Sequence, residues 1–389
     1  MVRSRAGSPS HLPSIFEGED ITGVVSLDLP REDSIKAITV TIVGQITTSA
    51  TDVYPFLTLS QDLWKAETGH PHPQAGIVFN GKLSGQFQWP FNLAIPPTVD
   101  LVSASGMQET FRIPPSFSER LTRIHIQYQL IARFRRGKFR VDRDTVFSFT
   151  PFIYPEPFSQ ARQAAYRHNH PVPGPDLDPA GWIAMESIAV RGSIFNARAV
   201  DAVCTLSLAK PLMYTRGTVI PCSITIDCTD TQALDLLSMP QAVDVRLLRH
   251  ISKAPADLSA GAAGPSTYGV EFEKTTVEIK TATWWPTSDI PHRRVLSGEI
   301  HLPKDLKPNC RVGKFNLYYT VEMFSLRAVT FSPYDTTTNA LQVQPVDIAT
   351  AYASGPRPRI YSPSPPPGYD DAGSTSRFSA DSSSFRSPV

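Results

Sequence analysis

Apolar and polar residues alternate one by one along much of this chain, most clearly in two runs. These are Ile35-Lys-Ala-Ile-Thr-Val-Thr-Ile-Val43 and Ile124-His-Ile-Gln-Tyr-Gln-Leu-Ile-Ala132, both rich in β-branched and aromatic residues. Successive side chains of a strand point to opposite faces, so a period of two predicts strands. In the second run Ile124, Ile126, Tyr128, Leu130, Ala132 and Phe134 share one face, and His125, Gln127, Gln129 and Arg133 share the other. That is a strand buried on one side only. The habit returns in 199–208, 219–226, 242–248 and 313–324. Helical spacing is confined to two short candidates, Ser159 to Arg167 and Asp230 to Leu237. Many short strands between turns predict an all-β fold of sandwiches.

Proline and glycine punctuate the pattern, with 36 and 22 residues among 389. They cluster in three places. Pro151 to Pro179 reads as an interdomain connector, and Ala254 to Gly269 as a loop inserted in the second domain. From residue 349 the chain turns to Ser, Pro and Gly with few aliphatics, too little apolar surface to offset ordering entropy, so a disordered tail is predicted. Hydrophobic residues are 41% of the chain, enough for two cores at this length. The predicted organisation is a flexible start over 1–14, a first sandwich over 15–157, a Pro-rich linker over 158–181, a second sandwich over 182–348 and the tail over 349–389. An echo between Leu83-Ser-Gly85 and Leu296-Ser-Gly298, each followed by a tyrosine-bearing strand (Tyr128; Tyr318 and Tyr319), suggests that the two sandwiches are related.

Lys plus Arg number 37 against 36 for Asp plus Glu, a net charge of +1, so no global field gathers nucleic acid. No run of eighteen apolar residues spans a bilayer. The start lacks an apolar core behind Arg3 and Arg5, none of the seven Asn residues opens an Asn-x-Ser/Thr site, and four cysteines are few for a disulfide scaffold. These features predict a reducing, cytoplasmic location. Cys222 and Cys228 remain either free buried thiols or a disulfide.

Several segments in order resemble the arrestin family, specifically the α-arrestin branch of fungal-type trafficking adaptors. Phe16-Glu-Gly-Glu-Asp-Ile-Thr-Gly-Val-Val-Ser-Leu27 is similar to the family's opening strand-turn-strand, and Ile38-Thr-Val-Thr-Ile-Val-Gly44 to the strand after it. Phe87-Gln-Trp-Pro-Phe-Asn-Leu-Ala-Ile-Pro96, then Ile113-Pro-Pro-Ser-Phe117, then the Tyr128 strand, follow the family's order. The resemblance covers most of Ile15 to Val346. It implies two tandem immunoglobulin-like, arrestin-type β-sandwiches. One departure is that the strand ahead of Gly18 reads as short or missing.

The tail holds Pro366-Pro367-Gly368-Tyr369, a Pro-Pro-x-Tyr match. Consecutive prolines preset a polyproline II helix that suits the aromatic groove of a WW domain, with Pro365 extending it and Tyr369 filling the next pocket. Chance alone predicts about 0.1 such matches in this composition, so position in an accessible tail matters more than the letters. The resemblance implies that Pro365, Pro366, Pro367 and Tyr369 recruit a HECT-type ubiquitin ligase to membrane transporter or receptor cargo, promoting ubiquitination and endocytic sorting. The alternative is an arrestin-fold scaffold of vesicle sorting that uses no ligase. Ser362, Ser364 and Ser387 precede prolines and are candidate phosphosites; the other reading is an ordinary soluble tail.

Arg133-Phe-Arg-Arg-Gly-Lys-Phe-Arg-Val-Asp-Arg143 concentrates cations about a Gly137 turn. Arg133, Arg135, Arg136, Lys138 and Arg140 either form a solvated hairpin tip paired with Asp142 and Asp144, or bind phosphorylated tails or anionic lipid heads. His70-Pro-His72 and His168-Asn-His170 lack accompanying ligands, so no metal site is expected. Trp284-Trp285 reads as a core or sandwich-edge pair, the alternative being a ligand platform. No nucleophile elbow, P-loop or dinucleotide fingerprint occurs, so neither a cofactor nor an enzyme activity is predicted.

Overall fold

The computed structural model describes residues 12–47, 53–72, 79–102, 107–118, 124–137, 139–253, 273–313, 315–335 and 337–362. The inserted loop predicted at Ala254 to Gly269 lies outside them. The first half carries β1 (Ser14–Phe16), β2 (Asp20–Asp33), β3 (Ile35–Thr47), β4 (Val53–Lys65), β5 (Leu83–Ala94), β6 (Thr98–Val102), β7 (Gln108–Arg112), β8 (Phe117–Ser118), β9 (His125–Arg136) and β10 (Phe139–Thr150). A helix, α1 (Gln160–His168), follows in the connector. The second half opens with β11 (Trp182–Ala184), β12 (Ile188–Ile194), β13 (Arg198–Ala209), β14 (Met213–Thr215) and β15 (Val219–Cys228), then α2 (Thr231–Leu237). It closes with β16 (Val245–Lys253), β17 (Glu273–Thr281), β18 (Thr283–Ile290), β19 (Arg293–His301), β20 (Cys310–Val312), β21 (Phe315–Met323), β22 (Phe331–Pro333) and β23 (Gln342–Ala349). The fold is all-β, as the period of two predicts.

The inward faces explain the packing. On β9 the residues Ile126, Tyr128, Leu130 and Phe134 are buried, and on β5 Leu83, Phe87, Trp89 and Phe91 are buried. These apolar faces belong to different sheets, β1-β10-β9-β3-β4 and β2-β5, which meet over one core as a sandwich. In the second half β18-β19-β15-β13-β12-β22 faces β14-β23-β21-β16-β17 in the same way.

The two halves repeat one plan down to the register. β1 runs parallel to β10 and is followed across the sheet by β9, β3 and β4; β14 runs parallel to β23 and is followed by β21, β16 and β17. Phe117 on β8 pairs with Ile126, and Cys310 on β20 pairs with Leu317. Two residues on, Tyr128 donates its hydroxyl to the Pro114 carbonyl at 2.5 Å and Tyr319 donates to the Lys307 carbonyl at 2.8 Å. The side chains just ahead of β8 and β20 also match, because Ser116 Oγ accepts from the Phe149 amide at 2.8 Å and Asn309 Oδ1 from the Ile348 amide at 3.0 Å. Gly18 and Gly217 turn the chain at φ 81° and 77°, each three residues beyond the partner of those amides, Ile15 or Tyr214. The Leu-Ser-Gly echo falls on corresponding strands, since β5 pairs with β2 and β19 with β15. The strand ahead of Gly18 is present, as three residues.

Both helices form where the spacing places them. Ser159 caps α1 by accepting from the Arg162 amide, and Asp230 caps α2 by accepting from the Ala233 amide. All four cysteines are free. Cys222 and Cys228 stand at opposite ends of their run on one extended strand, roughly 20 Å apart at strand rise, well beyond disulfide reach. Burial pushes the Cys204 thiol up to about 12.

The halves meet through Phe117 and Phe315, ring centroids 5.4 Å apart, and through Arg311, which pairs with Glu109 at 3.1 Å and lies over the Phe111 ring. Beside them a cleft of about 310 Å³ runs between Ile113, Pro151 and Ile153 on one side and Asn309 and Arg311 on the other.

On the outer face of the β16–β21 pair, buried His250 is set between Thr320 Oγ1 at 2.7 Å and Thr276 Oγ1 at 3.0 Å, stacks on Tyr318, and also faces Glu322 and Lys274. Burial, then Lys274, hold its pKa below the ordinary 6.5, outweighing Glu322. The native state therefore binds fewer protons than the unfolded chain, so stability from this residue is full above about 6.5 and declines as pH falls below that value. Urea midpoints measured between pH 7.5 and 5.5 should fall less for His250→Gln than for the native protein.

Candidate functional site

After β23 the chain does not leave the body. Thr350 donates to the Pro151 carbonyl and accepts from the Ile153 amide, and the Thr350 and Ala351 amides both reach the Ile153 carbonyl. Thr215 Oγ1 then holds the Ala351 carbonyl at 2.9 Å. Further on, Arg357 stacks 3.6 Å above the Tyr352 ring, and Arg359 donates through Nε to the Tyr166 carbonyl at 2.7 Å and through an Nη to Asn169 Oδ1 at 2.9 Å. Tyr166 lies in the last turn of α1 and Asn169 is its C-cap. A helix leaves its final carbonyls without internal partners and its C-terminus partly negative, so an arginine is well placed there.

The last described residues of the arm reach Glu299. Its carboxylate accepts from the Tyr361 amide at 2.9 Å and from the Ser362 amide at 2.9 Å, while Ser362 Oγ lies 2.7 Å from His301 Nε2. Glu299 is only 2% exposed, although the alternation of Leu296, Gly298 and Ile300 assigns it to the outer face of β19. The arm supplies its cover. The tail predicted from residue 349 is thus anchored as far as Ser362. Low apolar content predicts weak ordering, but this stretch is held by hydrogen bonds to groups the body leaves open rather than by apolar burial.

Beneath the arm, Phe158, Arg162 and Tyr166 share one face of the α1 region at helical spacing. Arg162 is 1% exposed, its guanidinium 4.8 Å from the Phe158 ring centroid, with an Nη donating to the Gly181 carbonyl. Phe158 and Tyr166 meet edge to face. Burial pushes the Tyr166 hydroxyl up to about 12, with Arg162 opposing the rise and Tyr361 and Glu299 adding to it. Arg162 and Glu299 are therefore buried charges of opposite sign around one tyrosine. The i, i+4, i+8 spacing was the available signal for this cluster; the part played by Glu299 left none.

The basic hairpin forms as predicted, with Arg135 opposite Arg140 and Arg133 opposite Asp142. Paired residues share a face, so Arg133, Arg135 and Arg140 line the outside of the sheet together with Lys65 and Asp62 of β4. Asp142 takes Arg140 at 3.1 Å and Arg133 at 3.5 Å, and Asp62 takes Lys65 at 2.7 Å. Asp144, two residues along β10 from Asp142, lies on the same face, so four cations face three carboxylates there, a surplus of one positive charge. Arg136 points to the opposite face and pairs with Asp33 at 2.9 Å, a partner not legible locally. Among the described residues Arg135 has no ion-pair partner, and Phe139 at the tip is 79% exposed. Lys138 lies outside the described residues.

Pro365, Pro366, Pro367 and Tyr369, with Ser364 and Ser387, also lie outside the described residues. His70 packs edge-on against Phe79 and Phe87, His72 stacks on Phe87, and Trp284 is buried. No described helix is long and apolar enough to cross a membrane. No family model matches the chain, and no curated protein matches its sequence. The fold defines a class, an all-β protein of two sandwiches on one strand plan with a pinned C-terminal arm.

Proposed function

We propose that the chain is an α-arrestin-like adaptor that recruits a HECT-type ubiquitin ligase through Pro366-Pro367-Gly368-Tyr369 to membrane transporter or receptor cargo, working in the cytoplasm with peripheral recruitment to plasma membrane or endosomes. The observation that supports it most is the position of the arm. Pinning reaches Ser362, and Pro366 follows four positions later. At about 3.3–3.6 Å per residue those few links span at most roughly 14 Å, so a WW domain docked on the motif is held against the sandwiches. A short tether raises the effective concentration of ligase at lysines of whatever the sandwiches grip. The adaptor itself makes and breaks no bonds.

A pull-down of the full chain on isolated WW domains tests this. Binding of the native chain and a tenfold or greater weakening in Tyr369→Ala is the expected result. No binding, or no weakening, overturns the reading and leaves the ligase-independent sorting scaffold.

The hairpin surplus supports a subsidiary contact with anionic lipid. Each cation near an anionic surface is worth about 1 kcal/mol, so Arg135→Glu should cut binding to phosphatidylserine vesicles roughly tenfold or more. Arg135 is the residue to change, because reversing Arg136 also breaks its pair with Asp33. Unchanged vesicle binding rejects the hairpin as the contact.

A further inference from the structure

The last described residue of the arm carries a hydroxyl. Ser362 Oγ lies 2.7 Å from His301 Nε2, its own amide donates to Glu299 at 2.9 Å, and the neighbouring Tyr361 amide donates to the same carboxylate. Pro363 follows it, the pattern that proline-directed kinases accept.

We propose that Ser362 is a phosphorylation site whose modification releases the end of the arm, Tyr361 and Ser362, from Glu299. In the reaction Ser362 Oγ attacks the γ-phosphorus of ATP. The new O–P bond replaces the bond from that phosphorus to the β–γ bridging oxygen, ADP leaves with that electron pair, and the hydroxyl proton passes to the kinase base. The product cannot keep the docked geometry. At 2.7 Å from the imidazole the hydroxyl has no room for a phosphoryl group on that side. The group also brings about −1.5 to −2 charge to a residue whose amide is bound to a buried carboxylate. Glu299 is shielded from water, so salt screens the repulsion poorly. The cations nearby are committed, Arg359 to the end of α1 and Arg357 to Tyr352; His301 offers at most one charge, and only when protonated.

Release moves the last described anchor back to Arg359, which the Tyr166 carbonyl and Asn169 Oδ1 hold independently of Glu299. The reach of Pro366 from the body then grows from roughly 14 Å to roughly 25 Å of extended chain. That consequence for ligase geometry rests on the adaptor reading, whereas the latch itself rests only on the contacts of Tyr361 and Ser362.

The test uses the full chain carrying phosphoserine at 362, followed by hydrogen exchange of the segment 352–362 and by titration with an isolated WW domain. Exchange at the Tyr361 and Ser362 amides should quicken at least tenfold on phosphorylation. Ser362→Ala treated with the kinase should stay protected, and Glu299→Gln should exchange faster without any phosphate. Protection that is unchanged or increased by phosphoserine, as when His301 captures the phosphate in place, overturns the proposal. Faster exchange with no WW binding in either state upholds the latch and rejects the adaptor reading instead.

Discussion

Arg162→Ala should lower the unfolding free energy by about 2–5 kcal/mol, the range for cutting a large buried side chain back to Ala. The side chain fills space at 1% exposure between Phe158 and the Gly181 carbonyl. Its loss leaves a cavity and removes the cation from the Phe158 ring, while the Gly181 carbonyl keeps the Lys210 amide at 2.7 Å. Arg162→Met restores most of the volume without the charge and should recover part of the loss; Arg162→Lys keeps the charge without the planar fork. Urea unfolding of the three variants separates packing from charge. Equal midpoints for Ala and native protein would show that the cluster contributes nothing, and the connector would then be a passive spacer. Because Tyr166 bridges Arg162 and the arm anchor at Arg359, the same variant should also quicken exchange at Tyr361.

Gly298→Val should destabilise by about 3 kcal/mol, the upper part of the usual cost of overfilling a core. A Cβ at this position would sit 2.4 Å from Cε3 of Trp284, directly across the β18–β19 pair. The indole is 5% exposed and cannot swing clear without moving its neighbours. The double variant Gly298→Val with Trp284→Leu should therefore lose less than the sum of the two single changes. Its counterpart in the echo, Gly85, has φ 98° and open space for 4 Å around the point where a Cβ would stand, so Gly85→Ala should cost only the backbone strain, about 1–2 kcal/mol. Thermal melts that rank Gly85→Ala above Gly298→Val in damage would sink this account. One repeated tripeptide thus answers two different demands, close approach in one strand and left-handed backbone in the other.

That contrast shows where sequence reasoning stops. The strands of Ile35 and Ile124 are legible because alternation directly encodes which side chains face a core, and both helices because helical spacing recurs over Ser159 to Arg167 and Asp230 to Leu237. The Arg133–Asp142 pair is legible too, since a tight turn at Gly137 sets the register across the hairpin. Arg136 with Asp33 is not, because a third strand supplies the carboxylate. The family-like order of segments was visible, yet the matched hydroxyl bonds of Tyr128 and Tyr319 were not, because they depend on which carbonyl the preceding connection presents.

By itself the sequence determined an all-β chain in two parts, a basic hairpin, and the presence of a Pro-Pro-x-Tyr motif. All of these are local, written in spacing and residue type over a few positions. Only the tertiary structure decided that Glu299 is buried, that Arg162 lies at the centre of the connector, and that the chain from Thr350 to Ser362 is pinned. Each of those depends on which distant segment covers which surface. Alternation tells a strand which face turns outward, but not that a segment some sixty residues later will lie across it.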